Sequence, residues 1–279
     1  MALRSRKLVV AVVATAAVVI AGAIWLPKLW ETAKDQMTPD TCTIGAYELD
    51  PEQAVVAAAM VGAVTRYRIE LPERAAVLAL AAGLQESKLR NLAPGEGDRD
   101  SVGVLQQRPS QGWGRGNAAT LNDVGEATKE FLDHLVRVDK WQTLSLADAV
   151  QRVQISADGG AYAQHEIEAQ TLADALSGRK PADISCSFAK PTKVASGTKV
   201  ASQVKQELGV RTPQVTGLTV TVPGARWQTV AWFVANAERL GIEEVRYDGK
   251  VWSRTGGWKS SEDSAGAVTA TLFDLKAKK

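Results

Sequence analysis

Glu86 is the carboxylate with the most suggestive setting in the chain. It lies in the run Leu84-Gln85-Glu86-Ser87-Lys88-Leu89-Arg90-Asn91, at the tail of a strongly apolar segment and just ahead of a long glycine-rich stretch. In the last turn of a buried helix, the negative end of the dipole and partial loss of hydration both disfavour a charged carboxylate. A carboxyl that keeps its proton can act as a general acid and protonate a departing glycosidic oxygen. A solvated glutamate at a helix end is the alternative that position alone leaves open. Hydrolysis by inversion needs a second carboxylate to activate water. Asp98 and Asp100 are the candidates, with turn hydrogen bonding as their other use. Asp100, beside Ser101, is the better placed.

His134 and His165 are the only histidines, and both fall on or beside apolar stripes, which suits packing or rim positions. Cys42 and Cys186 are the only cysteines. They bracket a segment that would lie outside the cytoplasm, where paired thiols persist, so a disulfide joining the ends of one domain is expected. Two separate buried thiols are the alternative. Two cysteines so far apart do not serve zinc. No metal or other cofactor is expected.

The elements that must hold Glu86 are helical. Asp50 can cap a helix with Pro51 at its first position and Gln53 closing a capping box, and the apolar run continues to about Val64. Pro72 opens a second helix, and Glu73 to Leu89 is apolar on nearly every side, which demands a central place in the core. Val124, Ala127, Phe131, Leu135 and Val138 recur at helical spacing, Ser145 with Asp148 forms a capping box, and Tyr162, Ala169, Leu172 and Leu176 form a last stripe. Between these helices, residues 91–123 are far longer than the usual connection of ~4–6 residues. Their Gly, Gln and Trp content and the apolar Ser101-Val102-Gly103-Val104-Leu105 suggest a segment folded back on the core helix, lining a groove with Gln106, Gln107 and Trp113.

Glu86-Ser87-Lys88-Leu89-Arg90-Asn91 followed by Ser101-Val102-Gly103-Val104-Leu105-Gln106-Gln107 resembles the lysozyme-like fold of soluble lytic transglycosylases and goose-type lysozymes. That resemblance implies a catalytic acid at Glu86, its neighbouring serine at Ser87, and the later Ser, Gly and Gln at Ser101, Gly103 and Gln106. A closer resemblance, over roughly Asp50 to Gly178, is to a domain of actinobacterial cell-surface proteins. Lytic transglycosylases carry Ala-Tyr-Asn on a later helix; its place falls on Ala149–Ser156, which has neither tyrosine nor asparagine. Tyr162 could supply an aromatic wall, with packing as its other use.

Leu8 to Leu26 is an uncharged apolar run of the ~20 residues that a bilayer-crossing helix needs. Arg4, Arg6 and Lys7 before it favour a cytoplasmic N-terminus, with Trp25 and Trp30 at the far interface. Residues 1–30 are therefore expected to form an uncleaved anchor, a cleavable signal peptide being the alternative. Lys plus Arg number 33 against 31 Asp plus Glu, a net charge of +2 that makes no broad case for nucleic acid.

After Gly178 the pattern changes to a Lys, Pro, Ser and Gly mixture typical of a domain edge. Val200, Val204 and Leu208 suggest a helix, residues 217–222 alternate like a strand, and residues 226–241 form an amphipathic helix ending at Gly241. Asp248-Gly249 suits a hairpin turn, and residues 267–273 would close the sheet. This tail resembles a C-terminal module related to the zinc-dependent DD-peptidase fold. Metal-binding relatives hold histidines where this chain has Thr269 and Thr271, which implies a degenerate binding or scaffolding module. Trp227 and Trp232 suit the core, while Trp252 and Trp258 are core or a sugar-stacking surface.

The expected protein is thus a single-pass cell-membrane protein. An all-α lysozyme-like domain spans 42–186, a linker 187–193, and a small α+β domain 194–279. Its expected substrate is peptidoglycan, with a non-catalytic peptidoglycan-binding or envelope-scaffolding protein as the alternative.

Overall fold

The computed structural model describes residues 40–155, 159–262 and 266–276. The expected membrane anchor lies outside these residues, and among them no helix is long and apolar enough to cross a membrane.

Two short strands come first, β1 (Thr41–Ile44) and β2 (Tyr47–Leu49). Helix α1 (Pro51–Thr65) starts at the expected capping box, where Asp50 N–H donates to Gln53 Oε1 at 2.8 Å. Helix α2 (Arg74–Ser87) buries every residue from Ala75 to Leu84. A helix without a polar face needs neighbours all round, and α2 has them. It packs against α1, α4 (Val124–Leu135), α5 (Leu146–Gln154), α6 (Glu166–Leu176) and the 3-10 turn Gly159–His165. The short α3 (Ala118–Asn122) leads into α4. Ser145 caps α5 as expected, accepting from Asp148 N–H at 3.0 Å.

The expectation of an all-α region over 42–186 needs correction. β3 (Ile184–Ser187) pairs antiparallel with β1, giving a three-stranded sheet in the order β2-β1-β3. Strands of three or four residues are too short for an alternating pattern to register, and this pairing is non-local. Cys42 and Cys186 are register partners in it and form the expected disulfide, closing a sequence separation of 144.

The chain then makes α7 (Gly197–Leu208), β4 (Gln214–Thr216), β5 (Thr219–Pro223), α8 (Trp227–Ala235), α9 (Ala237–Leu240) and β6 to β9 (Ile242–Tyr247, Lys250–Ser253, Gly257–Ser260, Ala267–Leu272). The sheet is antiparallel, in the order β4-β5-β9-β6-β7-β8. Asp248 and Gly249, at φ 49° and 71°, make the expected hairpin turn. The fold is therefore mixed α+β, a helical region followed by an antiparallel sheet.

In the segment of residues 187–193, Phe188 and Pro191 are buried while Lys190, Thr192 and Lys193 are exposed. The Phe188 N–H donates to the Arg254 carbonyl at 3.1 Å. Arg254 is 2% exposed and donates to the carbonyls of Ala189 (2.6 Å), Ala237 (2.8 Å) and Ile242 (3.2 Å). Trp252 and Trp258 donate their indole N–H groups to the backbone of β3, at Cys186 (3.1 Å) and Ile184 (2.7 Å). Helix α8 packs against α1, α6 and β3 as well as β6 and β9, so one hydrophobic core runs through both regions.

Candidate functional site

Glu86 occupies the last turn of α2, as expected. The helix stops because Lys88 and Leu89 adopt left-handed conformations (φ 56° and 58°), and Leu89 N–H donates back to the Gly83 carbonyl at 3.0 Å. Gln53, from the cap of α1, donates to the Lys88 carbonyl at 2.8 Å and ties down this end. Tyr162 comes from the Gly159–His165 turn. Its side chain is fully buried, and its hydroxyl donates to Glu86 Oε1 at 2.5 Å. No other hydrogen bond reaches Glu86 among the described residues.

The loop after α2 is hooked to it. Ser87 Oγ donates to the Val104 carbonyl at 2.8 Å, and Gln154 Nε2 from α5 donates to the Leu105 carbonyl at 2.9 Å. Val102 and Gln107 form an antiparallel bridge, burying Val102, Val104 and Leu105 as the apolar pattern demands. Gly103 sits at φ 78°, and a Cβ there would lie 2.2 Å from the Leu121 carbonyl oxygen, so only glycine fits. Gln106 Nε2 donates to the Gly103 carbonyl at 2.8 Å, and Ser101 is buried. Ser87, Gly103 and Gln106 therefore shape the loop next to Glu86.

Other residues singled out by the sequence have different employment. Asp100 accepts from Ser110 N–H at 2.8 Å and from Arg108 Nε at 2.7 Å. The Ser110 hydroxyl and N–H, then Arg108, hold its carboxyl far below the usual carboxylate range. It is an ionised loop anchor. Asp98 is solvated. Gln107 and Trp113, expected in a groove, are only 3% and 7% exposed. Gln107 Nε2 faces the Ala127 carbonyl at 3.4 Å, and Trp113 stacks on His134 with ring centroids 4.2 Å apart. Burial, then the charge of Arg137, lowers the His134 pKa.

Sequence reasoning missed a polar cluster beside Glu86. Gln85 Oε1 meets His165 Nε2 at 3.0 Å and Gln164 Nε2 at 3.1 Å. The 3-10 turn that brings these groups to α2 has no periodic signature. Several clefts lie elsewhere among the described residues. One of about 430 Å³ is lined by Tyr67, Arg68, Leu71 and Arg179, and another, of about 580 Å³, by Arg66, Asp123, Glu126 and Arg239. Glu86 lines neither. The chain matches no protein-family model and no curated protein.

Proposed function

We propose that this protein is a membrane-anchored, extracytoplasmic enzyme of lysozyme-like fold that cleaves the glycan strands of peptidoglycan. The carrying observation is the hydrogen bond from the buried Tyr162 to Glu86 at the end of α2, beside a loop hooked on through Ser87. Tyr162 fixes one carboxyl oxygen and aims the other at the glycosidic oxygen. Glu86 gives its proton to that oxygen as the bond to the sugar carbon breaks, and the substrate's own acetamide oxygen can hold the electron-deficient carbon. The carboxylate then takes a proton from the hydroxyl that completes the reaction. Asp100, committed to Arg108 and Ser110, is poorly placed to activate water, which favours lytic transfer over inverting hydrolysis. The Cys42–Cys186 bond supports an oxidising compartment, and the apolar N-terminal run supports a single-pass anchor with a cytoplasmic N-terminus.

The inward packing of Gln107 and Trp113 removes two groups expected to grip a glycan and favours a second reading, a non-catalytic wall-binding or scaffolding protein. A zymogram of the full-length protein on purified cell wall separates the two. Soluble fragments with anhydro ends support lytic cleavage, reducing ends support hydrolysis, and binding without release over a range of pH supports the scaffold.

A further inference from the structure

Tyr162 and His165 are three positions apart in a 3-10 turn, where residues i and i+3 eclipse, so both rings leave it on one side. There Tyr162 meets Glu86, and His165 Nε2 lies 3.0 Å from Oε1 of the adjacent Gln85. The network decides which nitrogen carries the proton. Gln164 Nε2 lies 3.0 Å from the Ala161 carbonyl, which can only accept, so that atom is the amide NH2. The same NH2 reaches Gln85 at 3.1 Å, so the Gln85 atom there is the amide oxygen. An amide oxygen cannot donate. His165 therefore carries its proton on Nε2 and, when neutral, keeps a lone pair on Nδ1. Burial disfavours the imidazolium and lowers the His165 pKa, and His165 makes no ion pair among the described residues. No hydrogen bond reaches Nδ1 among those residues, and the side chain is half-buried.

We propose that His165 is a substrate-positioning residue of the Glu86 site, its Nδ1 accepting a hydrogen bond from a glycan donor, either a sugar hydroxyl or an acetamide N–H. This rests on the reading of Glu86 as the acid of a glycan-cleaving site. A neutral acceptor suits an uncharged polymer of hydroxyls and amides. The Gln85 clamp sets the ring orientation beforehand, so little ordering is left to binding. A ligand without a donor at that point would leave the pre-set acceptor unpaired.

Full-length protein labelled with 15N-histidine carries only His134 and His165, and His165→Gln tells their signals apart. The expected wild-type spectrum near pH 7 shows His165 as the neutral Nε2–H tautomer. Addition of soluble, peptide-free peptidoglycan strands should move Nδ1 while Nε2 stays. In turnover, His165→Gln should raise KM about five- to tenfold with kcat nearly unchanged, the effect of losing one binding hydrogen bond. An Nδ1–H tautomer, an imidazolium, or an Nδ1 signal unmoved by saturating strands overturns the proposal, whether or not strands are cut. Strands that move Nδ1 but are never cut leave the positioning role standing and remove the glycosidase reading. Cleavage with an unchanged KM in His165→Gln does the reverse.

Discussion

At the residue scale the proposed cleavage turns on Glu86 and the tyrosine bonded to it. Glu86→Gln keeps shape and one hydrogen-bond acceptor but cannot donate a carboxylic proton. Glycan cleavage should fall by at least ~10²-fold, while wall binding and thermal stability stay near wild type. Tyr162→Phe removes only a hydroxyl, and cleavage should drop about tenfold with KM little changed if that hydroxyl aims the acid. Equal activity in the Phe variant would show the contact to be packing alone. Elsewhere, burial pushes the Tyr67 pKa up to about 12, with the Asp133 bond adding to this. Burial works against the ionised Asp133, yet bonds from Lys129, Tyr67 and Arg68 bring its pKa down to about 2 from 3.8. The sign follows for each. Asp133 contributes stability above pH 3.8 that is lost as pH falls through about 2, and Tyr67 contributes below pH 10 and loses it as pH rises through about 12. In Asp133→Asn, acid melts between pH 4 and 2 should flatten relative to wild type.

At the element scale, the segment of residues 91–123 depends on how it is fastened to α2. A methyl group at Gly103 would meet the Leu121 carbonyl and also force a left-handed backbone on alanine. Gly103→Ala should therefore cost about 1–3 kcal/mol by urea titration and lower cleavage through displacement of the loop. Ser87→Ala, which releases the Val104 carbonyl, should cost about 1 kcal/mol and act in the same direction. Loss of activity without any change in melting would place these residues in direct substrate contact instead.

At the scale of the whole molecule, Arg254 ties the segment after β3 to the second region, while the disulfide closes β1 onto β3 within the first. Arg254→Met keeps the length of the side chain but leaves the carbonyls of Ala189, Ala237 and Ile242 without their donor. A loss of about 3 kcal/mol or more is expected, read as a lower urea midpoint for one shared transition. Two separate transitions in the wild type would show the regions to be independent. Reduction of Cys42–Cys186 frees a long loop and should lower stability by up to ~5 kcal/mol.

Periodicity and turn chemistry made much of the fold legible in the sequence. The apolar run of α2, the capping boxes at Asp50 and Ser145, the αL stop at Gly241 and the Asp248-Gly249 hairpin all act through near neighbours, so they leave local marks. The place of Glu86 in the last turn of α2 was legible for the same reason. Only tertiary structure decided its partner, because Tyr162 and Glu86 are 76 residues apart and meet through a 3-10 turn. It also turned Gln107 and Trp113 inward and gave Asp100 to Arg108 and Ser110. It made Cys42 and Cys186 register partners in a sheet that no local pattern announces. Local sequence encodes what a segment prefers next to itself; which polar group finally satisfies which is settled by the packing of distant segments, where burial makes every unpaired group costly.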